Sequence, residues 1–166
     1  MNPLAEVSLV DVDKAVADQL LALAKCDASP DEVAPPLGGP GWNLERTAWF
    51  FSYHSAAAAG LDGPAAEKSW AVFSGHDIAG SIRLKRDSAA LIATAETGIW
   101  LGRSFRSRGI GGAALGLVLA EARRAGLKRV TARTLAGNSS AQRLLAAAGA
   151  ALRHDADGTI VAVVDL

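Results

Sequence analysis

Arg106-Ser107-Arg108-Gly109-Ile110-Gly111-Gly112 is the stretch on which the reading of this chain turns. The apolar segment Ile99-Trp100-Leu101 precedes it across a polar turn, and from Ile110 onward the apolar residues recur at helical spacing. The three glycines therefore stand at the start of a helix. The first turn of a helix has main-chain N–H groups without intrahelical partners and carries the positive end of the macrodipole. Gly109 and Gly111 lack a Cβ, which lets a phosphate approach the backbone and lets the chain turn through positive φ. Arg106 and Arg108 add positive charge. The residues alone leave two readings open: an anion site for a phosphorylated cofactor, or a glycine-rich loop whose arginines are merely solvated.

The residues just past the glycines test two other kinds of phosphate loop. Gly111-Gly112-Ala113-Ala114 offers neither the lysine nor the hydroxyl of a Walker loop. Gly109-x-Gly111-x-x-Ala114 does fit the dinucleotide fingerprint, which also requires an acid about 20 residues further on to hold the ribose. After Glu121 the next acid is Asp155, so a nicotinamide or flavin site is weakly supported.

Arg106-x-x-Gly109-x-Gly111 resembles the coenzyme-A pyrophosphate loop of the GNAT N-acetyltransferase superfamily. Downstream, Asn138-x-x-Ala141-x-x-Leu144-Leu145-x-x-x-Gly149 is similar to the family's second motif, in which an asparagine opens a helix beside the cofactor. The resemblance spans the chain and implies one domain over residues 1–166. The implied fold is α/β, of the GNAT three-layer type: a central mixed, largely antiparallel sheet, splayed between its fourth and fifth strands and flanked by helices. It also implies acetyl-coenzyme A as cosubstrate, with no metal, and transfer to a primary amine of a small molecule or a peptide N-terminus by direct attack on the thioester. The alternatives are a non-catalytic acyl-coenzyme-A-binding module and, more distantly, a dinucleotide-binding protein.

Carried onto this chain, the resemblance assigns the pantetheine arm to the backbone of Ile99, Trp100 and Leu101. The pyrophosphate goes to the amides of Arg106, Ser107, Arg108, Gly109, Ile110, Gly111 and Gly112. Asn138 is expected beside the pantetheine, although an asparagine there also serves as a plain helix cap. An amine of pKa about 10.4 is protonated at neutral pH, so a base is required. Glu96, the only acid in its strand, is the catalytic candidate, with pairing to an arginine or to a cationic acceptor as the competing role. Leu145 stands where many relatives have a tyrosine that protonates the departing thiolate, so no general acid is named; Tyr53 is one hydroxyl to consider.

Composition sets the frame. The chain has 166 residues, half of them apolar, with a single cysteine, Cys26, and no apolar stretch of transmembrane length. A soluble cytoplasmic protein is expected, with no membrane partner. Net charge is zero, yet residues 97–154 hold ten Lys or Arg against one acid, and the remainder holds seven against sixteen. A positive end suits a polyphosphate and a negative end a cationic amine, while chance segregation of surface charge is the bland account. A near-neutral pI and the lack of a basic stripe interleaved with aromatics argue against nucleic acid. The oligomeric state is open, a homodimer included.

The element order is set by periodicity. Residues 4–10 read as a strand, with Asp11 capping a helix that carries Val12, Val16, Leu20 and Leu23 on one face. Residues 25–42, with Pro30, Pro35, Pro36 and Pro40, read as a long loop bordering the acceptor site. Asn43 caps a helix ending near Gly60, whose Trp49, Phe50, Phe51, Tyr53 and His54 read as core before substrate wall. Residues 70–73 and 78–84 form a hairpin, and residues 91–101 a strand with Glu96, Gly98 and Trp100 on one face. The helix after the glycines is expected to bury Ile110, Ala113, Ala114, Leu117 and Val118, with residues 128–134, 138–148, 150–154 and 159–164 as strand, helix and closing hairpin.

Overall fold

A computed structural model describes residues 5–166. It runs β1 (Val7–Asp11), α1 (Lys14–Asp27), α2 (Pro30–Val33), α3 (Leu44–Ala57), β2 (Glu67–Ser74), β3 (Asp77–Arg86) and β4 (Thr94–Leu101), then α4 (Ile110–Arg124), β5 (Arg129–Leu135), α5 (Ser139–Ala147), β6 (Ala151–His154) and β7 (Thr159–Asp165). The part of the first expected strand at Leu4 lies outside the described residues.

Alternation along β2 explains the layers. Trp70 and Val72 point to one side, where they join Ile110, Ala114, Leu115 and Val118 of α4 in one apolar cluster. Ala71 and Phe73 point to the other, where they meet Leu20 and Leu21 of α1 and Phe50 of α3. A strand buried on both sides needs helices on both, which gives three layers around one sheet.

The sheet holds seven strands in the order β1-β2-β3-β4-β5-β7-β6, and β4 with β5 is its one parallel pair. That pair is short. Thr94, Ala95 and Glu96 face Arg129, Val130 and Thr131, after which the two strands part. β4 continues to Leu101 against β3, and β5 continues to Leu135 against β7, so each keeps its outer neighbour while the space between them widens. The mixed sheet and the parting of its fourth and fifth strands agree with the expected architecture.

Several local expectations are corrected. Asp11 belongs to β1, opposite Trp70, and Asp13 caps α1 instead, its Oδ1 accepting from Val16 N at 2.8 Å. Asp13 takes the cap because it is the acid past the end of the ladder, where the backbone is free to turn. The segment 25–42 is less irregular than its prolines suggest: α1 runs on to Asp27, and Pro30 opens the single turn α2, where its missing N–H costs nothing. β4 starts at Thr94, not near residue 91, since Leu91 is fully exposed. The buried face of α4 is Ile110, Gly111, Ala114, Leu115, Val118, Leu119 and Ala122, while Ala113 and Leu117 face outward.

One close approach sets the mouth of the parted strands. A Cβ on Gly80 would stand 2.1 Å from the Trp100 carbonyl oxygen and 2.9 Å from Leu101 Cα, so only glycine lets β3 hold the end of β4 this tightly. Gly80→Ala is expected to destabilise the protein by about 1–3 kcal/mol, read as a lower urea midpoint at unchanged slope.

Candidate active site

The glycine stretch builds a concave array of amides. Ser107 has φ of 59° and Gly109 φ of 80°, so the chain changes hand twice before α4 begins. A non-glycine residue held in that region costs about 1–2 kcal/mol. Backbone turns of this kind point successive N–H groups to one side and form an anion-binding nest. The amides of residues 107–112 donate to no partner among the described residues, and the first helical bond is Ala113 N to Gly109 O at 3.2 Å. A Cβ on Gly109 or Gly112 would meet nothing within 4 Å, so this backbone is open. Gly111 has a second role beside the expected one: a Cβ there would come within 2.8 Å of Leu144 Cδ1, so its bareness also makes room for α5 against α4.

The arginines of the stretch are engaged with the protein. Arg106 donates through Nε and Nη2 to the Leu101 carbonyl at 3.0 and 2.9 Å, and through Nη2 to Glu32 Oε2 at 2.5 Å. Arg108 donates to the Ser104 carbonyl at 3.3 Å and lies over the Phe105 ring. Asp27, at the end of α1, accepts from Ser104 N and Oγ, and those two bonds hold its carboxyl below the usual range. Along residues 97–101 the side of β4 that faces β5 has no strand partner, which leaves Ile99 and Trp100 bordering the opening beside the occupied Leu101 carbonyl. Asn138 caps α5, its Oδ1 accepting from Ala141 N at 3.1 Å.

Against the α1–α3 face of the sheet lies a cavity of 710 Å³, bounded by Glu96, Gly98, Ile99 and Trp100 of β4, by residues 31–36, and by Trp49, Tyr53 and His54 of α3. Residues 31–36 of the long segment thus form one wall of this cavity. The aromatics divide by burial: Phe50 is core with one edge reaching the cavity, whereas Trp49 and Tyr53 stack at 5.1 Å and wall it more openly.

The floor carries a chain of polar side chains that the sequence reading misses in part. Glu96 Oε1 accepts from Arg83 Nη2 at 3.0 Å, Arg83 Nη1 lies 3.6 Å from Glu67 Oε2, and the Tyr53 hydroxyl donates to Glu67 Oε2 at 2.7 Å. Glu67 and Arg83 are the two missed members, although each leaves a trace in the sequence. Glu67 extends by period two the face of Ala71 and Phe73, and Arg83 stands two residues after Ser81 between the apolar Ile82 and Leu84.

These contacts decide which groups can move protons. Burial first, then the hydrogen bond to Glu67 and its charge, hold the Tyr53 phenol far above its ordinary range, so it keeps its proton and is a poor acid for a thiolate. Leu145 is buried in the core on the α4 side and offers no polar atom. Burial pushes His54 down to about 4, leaving it neutral and sharing a hydrogen bond with Ser69 Oγ at 2.8 Å. Glu96, with its side chain 38% exposed, is the carboxylate that solvent reaches most freely on this floor, against 11% for Glu67. Among the described residues no cluster of three or more His, Cys, Asp or Glu is placed to hold a metal, and no helix is long and apolar enough to cross a membrane.

Known proteins share this fold. A family model described as an acetyltransferase (GNAT) domain matches residues 14–151. No curated protein matches the sequence significantly. Among solved structures, Mycobacterium smegmatis RimJ in complex with CoA-disulfide superposes with a TM-score of 0.77 at 19% identity, over 96% of this chain and 81% of that one. The GNAT domain of S. lividans PAT gives 0.72 at 20% identity, over 98% and 90%. Campylobacter jejuni N-acetyltransferase PseH in complex with acetyl coenzyme A gives 0.64 at 12% identity, over 96% and 99%. At these identities the likeness speaks for the fold.

The buried histidine makes stability depend on pH. Its folded value of about 4 lies below its ordinary 6.5, so the stabilisation is complete above pH 6.5 and is lost as pH falls toward 4. By pH 5 the loss is about 2 kcal/mol. Urea unfolding of the wild type should weaken by that amount between pH 7 and pH 5, and His54→Gln should abolish most of this dependence.

Proposed function

The chain belongs to the GNAT acetyltransferase family, and from that membership we propose that it moves an acetyl group from acetyl-coenzyme A to a primary amine. The acceptor is a small molecule or a peptide N-terminus that arrives as an ammonium ion. One observation carries the reading: the gap where β4 and β5 part runs directly into the unpartnered amides of residues 107–112. An extended arm needs main-chain partners along one strand, and a diphosphate needs a cluster of free N–H groups at the strand's end. This chain has both in sequence.

In the proposed mechanism the amides of residues 107–112 take the diphosphate and the open edge of Ile99 and Trp100 takes the arm, which also brings main-chain dipoles to the thioester carbonyl. Arg106 leaves the Leu101 carbonyl when the arm takes that group. Asn138, at the start of α5, borders the arm. The acceptor enters from the 710 Å³ cavity, where Trp49 and Tyr53 offer ring faces to a cation. Glu96 accepts the ammonium proton, directly or through water, and the freed amine forms the C–N bond as the C–S bond breaks. A thiol of pKa about 8.5 is a tolerable leaving group, so solvent supplies its proton and no side-chain acid is required. A reducing cytoplasm suits a thiol cosubstrate and the exposed, unpaired Cys26.

The non-catalytic alternative draws on the buried Leu145 and the committed Tyr53 proton, which leave the site without a side-chain acid. Calorimetry with acetyl-coenzyme A against NAD, followed by thiol release over a panel of amines, separates the readings: binding without release favours the module. With a competent acceptor, Glu96→Gln should lower kcat at least tenfold while acetyl-coenzyme A affinity stays within twofold. A smaller fall removes Glu96 from the role of base.

A further inference from the structure

Sheet register places Glu67, Lys85 and Glu96 directly opposite one another on β2, β3 and β4, with Ser69, Arg83 and Gly98 as the next row on the same face. The expected cross-strand partner of both glutamates is Lys85, yet Lys85 forms no ion pair among the described residues. Arg83 reaches diagonally and takes both. A planar fork has donors in fixed directions on both sides and so holds two carboxylates in one geometry, whereas a lysine ammonium carries three freely rotating donors on a flexible stem.

Gly98 lets the guanidinium lie close. A Cβ at Gly98 would stand 3.1 Å from Arg83 Nε and 3.3 Å from Cζ and Nη2, so the fork lies against bare backbone and a side chain there would push it off by a few tenths of an ångström. Its far end is fixed as well. Glu67 is held by the Tyr53 hydroxyl, and the Tyr53 ring is stacked on Trp49. The chain thus runs from a half-buried aromatic pair through Glu67 and Arg83 to the partly exposed Glu96, which on its own would lose little by changing rotamer.

We infer that Arg83 is a positioning residue: seated on Gly98 and anchored by Glu67 and Tyr53, it fixes the Glu96 carboxylate at the mouth of the gap between β4 and β5. The inference rests on the reading of Glu96 as base. An acetyl group delivered along β4 arrives beside Gly98 and Ile99, so the carboxylate must be held over that point and not swing into the cavity.

The test is a set of double-mutant cycles in the full chain. Arg83→Met is expected to lower kcat about tenfold or more with KM for acetyl-coenzyme A within twofold, Arg83→Lys to restore little of it, and Gly98→Ala to cost about three- to tenfold by lifting the guanidinium. In the Glu96→Gln background each of these changes should cost less than twofold, since a residue that acts only through Glu96 has nothing left to position. Should Arg83→Met fail to fold because Glu67 loses its cation, Gly98→Ala and its double with Glu96→Gln carry the same measurement. If Glu96→Gln is severe but the Arg83 and Gly98 changes leave kcat intact, or their losses multiply with it, the positioning role is wrong while Glu96 stands. If Glu96→Gln itself costs less than tenfold, the base is misassigned and the positioning role falls with it.

Discussion

The layout of this molecule depends on how briefly two parallel strands stay together. β4 and β5 pair over three residues and then diverge, each retained by its antiparallel outer neighbour. An unpaired strand side inside a sheet is costly to leave unsatisfied, so it persists where another extended chain can take its place. The same divergence turns the end of β4 toward the nest of amides at α4. Gly80 keeps β3 close enough to hold β4 on its outward course, and the bare Gly111 lets α5 close over the start of α4.

The cavity side of the sheet and the glycine loop are tied together by side chains from distant parts of the chain. Asp27 and Glu32, from α1 and α2, reach Ser104 and Arg106 on the run into the loop. Gly102 leaves room for the first tie, because a Cβ there would stand 2.6 Å from Asp27 Oδ2. The segment that walls the cavity is therefore pinned at the point where the loop begins.

Much of the fold is legible in the sequence because it is written in local periodicities. Period-two runs mark the strands, the apolar recurrence after Ile110 marks α4, and Asn43 and Asn138 stand where caps are expected. What is not legible depends on register. Nothing near Glu67 in sequence announces Arg83 or Tyr53; the three meet because β2 and β3 pair with one particular offset and α3 crosses above them. The choice of Asp13 over Asp11 as cap likewise depends on where the ladder with β2 ends. The face of α4 departs from the sequence reading because leucines stand on both flanks of Val118, and the core against the sheet takes Leu115 and Leu119 while Leu117 faces outward.

Each acid on the cavity wall is already answered: Asp31 by Arg46, Glu32 by Arg106, and Glu67 and Glu96 by Arg83, with Lys85 beside them. Such a surface projects little field into solvent, so long-range attraction hardly hastens a charged visitor's approach, and added electrolyte hardly slows it. The opposite end of the groove, with bare amides and a surplus of basic side chains around it, behaves otherwise. Ionic strength therefore acts on the two ends of this groove unequally, screening the basic end and sparing the cavity.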